Sequence, residues 1–212
     1  MARTKKEFEG KRDALLLSIW DIFVRNGYEN TTLSLIISEL SISKGVFYHY
    51  FHSKEECADA AIEMFIDRCI ERIQEEELPG LTPDQKLTRM ILSGVDFFHS
   101  DRQQAIGIDT PSNAVFHGKL MIAAVKRLAP VFARMIEQGV AEQVFSTEHP
   151  LESAEMILTL SNFYLDDVLF HWKPETIPDK IRAVADSAER ILGARKGTFR
   201  FLCFLPEGRS AP

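Results

Sequence analysis

Between Lys54 and Glu76, the apolar residues Ala58, Ile62, Phe65, Cys69 and Ile73 recur at steps of four, three, four and four. This is one unbroken stripe along an α-helix. At about 1.5 Å per residue the rod is roughly 34 Å long, long enough to run through two domains. Its start is marked by His52-Ser53-Lys54-Glu55-Glu56, where Ser53 as N-cap and Glu56 at N3 form a capping-box pattern. Its end is marked by Leu78-Pro79-Gly80.

The same periodicity fills most of the chain. A first helix over about 7–25 carries Leu15 or Leu16, Ile19 and Ile22 or Phe23 inward and stops at Asn26-Gly27. Thr31-Thr32 caps a short helix bearing Leu33, Ile36, Ile37 and Leu40. Ser41 to Ser43 breaks it, and Ser43 caps a third helix over about 44–50. Thr82 with Pro83 at the first helical position opens a helix to about residue 100, with Leu87, Ile91, Val95 and Phe98 inward. Gly107, Pro111 and Gly118 break up 101–118. A helix over 119–144 is expected to kink or divide at Pro130. Two last helices run over about 150–171 and 178–192, the second with Ile181, Val184, Ala188 and Ile191 at the spacing of a pairing seam. The tail beyond Gly193 has Phe199, Phe201 and Phe204 without helical logic, and their apolar area predicts that they pack. With strand patterns otherwise absent, the fold class is all-α, about nine helices.

Cys57, Cys69 and Cys203 have no CxxC or Cys/His ligand spacing, so neither a disulfide framework nor a metal site is expected. The amino terminus lacks an apolar signal core, and no stretch reaches about 18 apolar residues. A cytoplasmic location follows, with no membrane partner and no cofactor.

The segment 31–51 has the shape of a helix-turn-helix: two short helices around a tight polar turn, the second too short to serve core volume alone. On that second helix Phe47 and Phe51 form an inward pair, while Lys44, Tyr48 and His49 face outward. The run GYENTTLSLIISELSISKGVFYHYFHSKEE, Gly27 to Glu56, resembles the DNA-binding segment of the tetracycline-repressor-like (TetR) family: a Gly-Tyr end to helix one, Thr-Thr, a Ser-Lys-Gly turn, then Tyr-His-Tyr-Phe-x-Ser-Lys-Glu. The motif covers roughly residues 8–60. The chain departs from it at Trp20, where alanine is common, at Ile37, where a small alanine is usual, at Ser41, where glycine is usual, and at Val46, where threonine is frequent.

The resemblance implies a three-helix, homeodomain-like head over 1–55, a helical ligand-binding and dimerisation domain over 56–194, and a tail over 195–212. By position, Thr32, Tyr48, His49 and Lys54 match phosphate contacts, for which hydroxyl, imidazole and ammonium donors are chemically suited. Lys44, Gly45 and Val46 open the recognition helix where it meets base edges. Lys44 can donate to guanine O6 and N7, and Val46 can touch a thymine methyl. The family's second domain holds an effector pocket, for which Phe98, Phe116, His117 and Phe163 are the candidates. Its last two helices, here about 150–171 and 178–192, pair with their copies in a homodimer.

The implied function is a ligand-responsive regulator, a repressor that binds a palindromic operator and is released by a small-molecule effector. The alternative is a helical ligand-binding or protein-interaction module whose helix-turn-helix has lost DNA binding. An enzyme is not expected. The carboxylates near imidazoles or aromatics, Asp96, Asp109 and Asp166-Asp167, lack the spacing of a metal triad or a nucleophile elbow, and adjacent aspartates diverge by about 100° on a helix.

A formal net charge of -6 argues against nucleic-acid binding only as a whole-chain average. Residues 1–55 carry eight Lys or Arg against seven Asp or Glu, so the acidity lies beyond them. A near-neutral head implies modest non-specific DNA affinity, leaving specific contacts and dimer symmetry to supply more of the binding.

Overall fold

The computed structural model describes residues 2–75, 79–100 and 111–204, without the side chains of 2–7, 99, 100, 111, 167 and 168. All regular structure among them is helical. The α-helices are α1 (Ala2–Asn26), α2 (Leu33–Glu39), α3 (Lys44–Tyr50), α4 (Lys54–Gln74), α5 (Pro83–Ser100), α6 (Ala114–Ala141), α7 (Pro150–Thr159), α8 (Asp167–Phe170) and α9 (Ile177–Leu192). The expected break at Gly107 and the carboxylate Asp109 lie outside the described residues.

The chain forms two compact units, one of Met1–Arg68 with Ser100–Ala123, the other of Cys69–His99 with Ala124–Pro212. The divisions fall within α4, at the end of α5 and within α6.

In the first unit the core gathers Leu16, Ile19, Phe23, Ile36, Phe47, Phe51, Ile62 and Ile66, all essentially inaccessible to solvent. Trp20 lies flat on Phe65, ring centroids 4.1 Å apart, and is tilted against Phe116 at 5.4 Å. The large residue at 20 thus fills space shared with α4 and the start of α6. Ala58, Ile62, Phe65, Cys69 and Ile73, the stripe on α4, are all buried.

Three local expectations are corrected. The helix expected over 119–144 runs from Ala114 to Ala141 and is not divided at Pro130. Pro130 and Lys126, whose carbonyl loses its i+4 donor, are both exposed, so water can replace the missing hydrogen bond.

The helix expected over 150–171 is interrupted. It is α-helical only to Thr159, passes through a π-helical turn at Leu160–Tyr164, and restarts as α8. Thr159 Oγ1 and Ser161 Oγ donate to the carbonyls of Glu155 and Ile157 at 2.7 and 2.8 Å, a back-bonding that loosens helices. Asp166 Oδ1 then accepts from Leu169 N–H at 2.7 Å and starts the next helix. Asp166 is thus a cap.

The third correction concerns the tail. Phe199 is buried and Phe201 partly so, but Phe204 is 75% exposed. Residues Arg200–Phe204 form a 3-10 turn.

Within the second unit Val184, Ala185, Ala188 and Leu192 of α9 are buried in their own chain, while Ile181 and Ile191 of the expected seam are part-exposed. Gly139 has no room for a side chain, because a Cβ there would overlap the Phe145 ring.

Candidate nucleic-acid interface

Three N-caps build the head. Thr32 Oγ1 accepts from Leu35 N–H at 3.2 Å and starts α2; Ser43 Oγ accepts from Val46 N–H at 3.2 Å and starts α3. At α4, Ser53 Oγ accepts from Glu56 N–H at 3.0 Å, while the Glu56 carboxylate accepts from His52 N–H at 2.7 Å. The box therefore closes one residue before the cap. Arg25 forms an ion pair with Glu39, and Asn26 donates to the same carboxylate at 3.2 Å, tying the end of α1 to α2.

With its ends fixed, α3 divides sharply. Phe47 is fully buried and Phe51 just beyond it is too, 5.5 Å apart by ring centroids. Lys44, Gly45, Val46, Tyr48 and His49 are all exposed, and Lys44 Nζ lies 5.9 Å from the Tyr48 ring centre. Phe8 of α1 braces the far end: it stacks on Tyr50 at 4.8 Å and meets His49 edge-on at 5.3 Å. That support was not read from the sequence, because Phe8 lies outside the Gly27–Glu56 run that carries the resemblance.

Thr32 is exposed at the start of α2. Lys54 is placed differently. It is half-buried, its Nζ donates to the Tyr28 carbonyl at 2.9 Å and lies 4.1 Å from the Tyr28 ring centre. Burial, together with the nearby Glu55 and Asp59 carboxylates, pushes the Tyr28 phenol up to about 12. Glu55, at the first turn of α4, is lowered chiefly by a backbone hydrogen bond.

The four effector candidates do not share a unit. Phe116 is fully buried in the first unit among Trp20, Phe23 and Tyr28, and buried His117 follows it. Phe98 and Phe163, both half-buried, belong to the second. The second unit also has an open cavity of about 230 Å³ lined by Leu160, Tyr164, Ala183, Val184 and Ser187. Beside it Lys180 Nζ sits 3.5 Å from the Trp172 ring centre and 5.2 Å from that of Tyr164, and Trp172 Nε1 donates to the Tyr164 carbonyl at 2.8 Å. Among the described residues no group of three His, Cys, Asp or Glu could hold a metal ion, and no helix is long and apolar enough to cross a membrane.

A capped two-helix motif with a buried pair of phenylalanines and an outward basic and aromatic face defines a helix-turn-helix protein. Residues 15–61 match the model of bacterial regulatory proteins of the tetR family, and residues 96–187 match the tetracyclin repressor-like C-terminal domain. The chain belongs to the TetR family of transcriptional regulators, a family of DNA-binding proteins and not of enzymes.

Among relatives, it is 34% identical over 83 residues to the HTH-type transcriptional regulator YerO of Bacillus subtilis, a stretch covering 38% of this chain and 29% of that one. It is 26% identical over 103 residues to the transcriptional repressor KstR2 of Mycolicibacterium smegmatis, 49% of this chain and 50% of that one. The transcriptional activator FasR of the same organism is 26% identical over 93 residues, 44% and 42% of the two chains. The chain thus spans about half or less of the length of these curated relatives. Among solved structures, a TetR-family regulator from Syntrophomonas wolfei superposes with a TM-score of 0.65 at 22% identity, covering 88% of this chain and 97% of that one. The flavonoid-responsive regulator FrrA does so with a TM-score of 0.56 at 19% identity, covering 85% and 96%. These likenesses establish the fold.

Proposed function

We propose that the protein binds a two-fold-symmetric DNA operator as a homodimer and represses transcription until a small-molecule effector releases it. The observation that carries the DNA reading is the division of α3, which commits Phe47 to the core and leaves Lys44, Gly45, Val46, Tyr48 and His49 at the surface. A short helix so anchored can enter a major groove with its N-terminal residues at base edges. Lys44 and Val46 read bases in this proposal, and Thr32, Tyr48, His49 and Lys54 hold phosphates. Two such helices bind half-sites about 34–36 Å apart.

Dimerisation is assigned to α7, α8 and α9. Leu151 and Met156 on α7 and Leu169 and Phe170 on α8 are exposed, apolar side chains that a partner could cover. The effector site is assigned to the second unit, to Phe98, Phe163 and the cavity beside Tyr164. At about 230 Å³ it suits a molecule smaller than the usual drug-sized ligand. Repression is preferred to activation on family habit, since relatives bear both names.

The test is in vitro selection of duplexes from a random-sequence pool. A palindromic consensus supports the reading, and failure to enrich any sequence overturns it. Lys44→Ala should change which bases are preferred; an unchanged consensus removes Lys44 from base readout.

A further inference from the structure

At the start of α6 one side chain reaches back across the head. Asn113 is wholly buried. Its Oδ1 accepts from Tyr28 N–H at 2.6 Å and its Nδ2 donates to the Phe23 carbonyl at 3.1 Å, so a single carboxamide holds both sides of the corner between α1 and α2. Neighbouring contacts lock it there. Glu29 N–H donates to the Ser112 carbonyl at 3.0 Å, and Val115 N–H donates to Glu29 Oε1 at 3.1 Å. Gly27, at φ 82°, is packed so closely that a Cβ would overlap Ser112. Phe116 enters the core beside Tyr28 and Phe23, and Lys119 pairs with Asp59 of α4 at 2.5 Å.

Tyr28 passes this constraint on. Its carbonyl receives Lys54 Nζ, its ring lies under the same ammonium, and its phenol donates to Glu55 Oε1 at 3.5 Å, so it fixes the first turn of α4. One residue back, the Gly27 carbonyl accepts from the Thr31 amide at 3.0 Å and the Thr31 hydroxyl at 2.6 Å, immediately before the cap of α2. The corner therefore sets where α2 and α4 begin, and these two helices bracket α3.

We propose that Asn113 is a positioning residue for DNA binding: its carboxamide latches the α1–α2 corner so that the operator-facing groups of α2, α3 and α4 are held as one preorganised set. This rests on the DNA-binding reading above. A buried carboxamide bonded at both its oxygen and its nitrogen specifies one arrangement of its neighbours, which a hydrophobic residue of the same volume would not. Preorganised groups bind without the cost of ordering them.

The experiment uses the full chain and the duplex that the wild-type protein enriches from a random pool, with a scrambled duplex as the non-specific probe. Asn113→Ala should bind the enriched duplex about tenfold more weakly, equivalent to about 1.4 kcal/mol, with a clearly smaller loss on the scrambled duplex and an unchanged salt slope, since no charged group is removed. Amide hydrogen exchange at Tyr28 should accelerate. The double variant with Lys54→Ala should lose less than the product of the two single losses, because both act through Tyr28.

Equal weakening on both duplexes, multiplicative losses, or unchanged affinity despite faster Tyr28 exchange would overturn the proposal. Unchanged Tyr28 exchange would do the same. Should Asn113→Ala not fold, the exposed Glu29→Ala carries the test, with about two- to threefold weaker specific binding and faster Tyr28 exchange expected; faster exchange with unchanged affinity then overturns it. If the wild-type chain enriches no duplex, the DNA-binding reading itself falls and the latch with it. If it does enrich one, only the latch is at stake.

Discussion

The Lys54 ammonium lies 4.1 Å from the centre of the Tyr28 ring while donating to the Tyr28 carbonyl at 2.9 Å. Two favourable contacts thus hold a cation at a helix N-terminus, where the macrodipole disfavours it. A cation over an aromatic face and a charge-assisted hydrogen bond at a half-buried site together make Lys54→Ala cost about 1–2 kcal/mol of stability. If the remaining donors also hold a phosphate, the same variant weakens binding to every duplex and lowers the salt slope by about one. Urea unfolding and a salt titration separate the two roles. A stability loss with an unchanged salt slope would confine Lys54 to the corner.

Ser41 occupies the left-handed region at φ 51°, in the turn between α2 and α3 where the family pattern has glycine. A residue with a Cβ pays roughly 1–2 kcal/mol there, and glycine's greater freedom in the unfolded chain offsets part of the relief. Ser41→Gly should therefore raise stability by about 0.5–1 kcal/mol, measured by urea unfolding at constant m. A loss instead would mean that the exposed hydroxyl supports the turn.

The head was legible because its signals are local. Ser43 and Ser53 lie next to the helices they cap, and Phe47 and Phe51 are one turn apart. The Asn113 latch was not legible, since its partners lie 85 and 90 residues away and one asparagine after a proline reads as a turn. Phe116 illustrates the same limit: an aromatic at helical spacing does not reveal which core it joins, and this one joins Trp20 and Phe23. The interruption at Leu160–Tyr164 was written in Thr159 and Ser161, but hydroxyls in a helix point outward as often as they bond backward.

Burial pushes the Cys57 and Cys69 thiols up to about 12, as it does, with nearby carboxylates, the Tyr28 phenol. A raised pKa in the folded state stabilises below the unfolded pKa and is lost as pH rises towards the folded one. Stability should therefore hold up to about pH 9 and decline between about pH 9 and 12. Circular dichroism against urea at stepped pH reads this. In the native protein at neutral pH a thiol reagent should modify the partly exposed Cys203 first, and the other two only on unfolding. Early modification of Cys57 or Cys69 would contradict their burial.

Met156 is 47% exposed on α7, in the segment assigned above to the dimer interface. A charge in the middle of an apolar interface is desolvated without a partner and costs several kcal/mol. Met156→Glu should thus shift sedimentation from dimer to monomer with little loss of helicity, and weaken operator binding because one half-site is lost. A monomeric wild-type chain, or a variant that stays dimeric, would move the interface elsewhere.

Glu189 is buried in the last turns of α9, and its Oε1 accepts from Gly197 N–H at 2.8 Å and Phe199 N–H at 3.1 Å. Two backbone donors of the tail therefore depend on one carboxylate, and Phe199 is seated in the core by it. Glu189→Ala leaves both N–H groups without that acceptor and opens a cavity, a cost of about 2–4 kcal/mol. Glu189→Gln retains the acceptor oxygen and should lose about 1 kcal/mol. Trypsin reads the local effect: cleavage after Arg195, Lys196 and Arg200 should accelerate in the alanine variant before the helices unfold. Phe204, three-quarters exposed, serves as the control, and its replacement by alanine should change stability by no more than about 0.5 kcal/mol. Equal losses at Glu189 and Phe204 would mean that the tail is held by something other than this carboxylate.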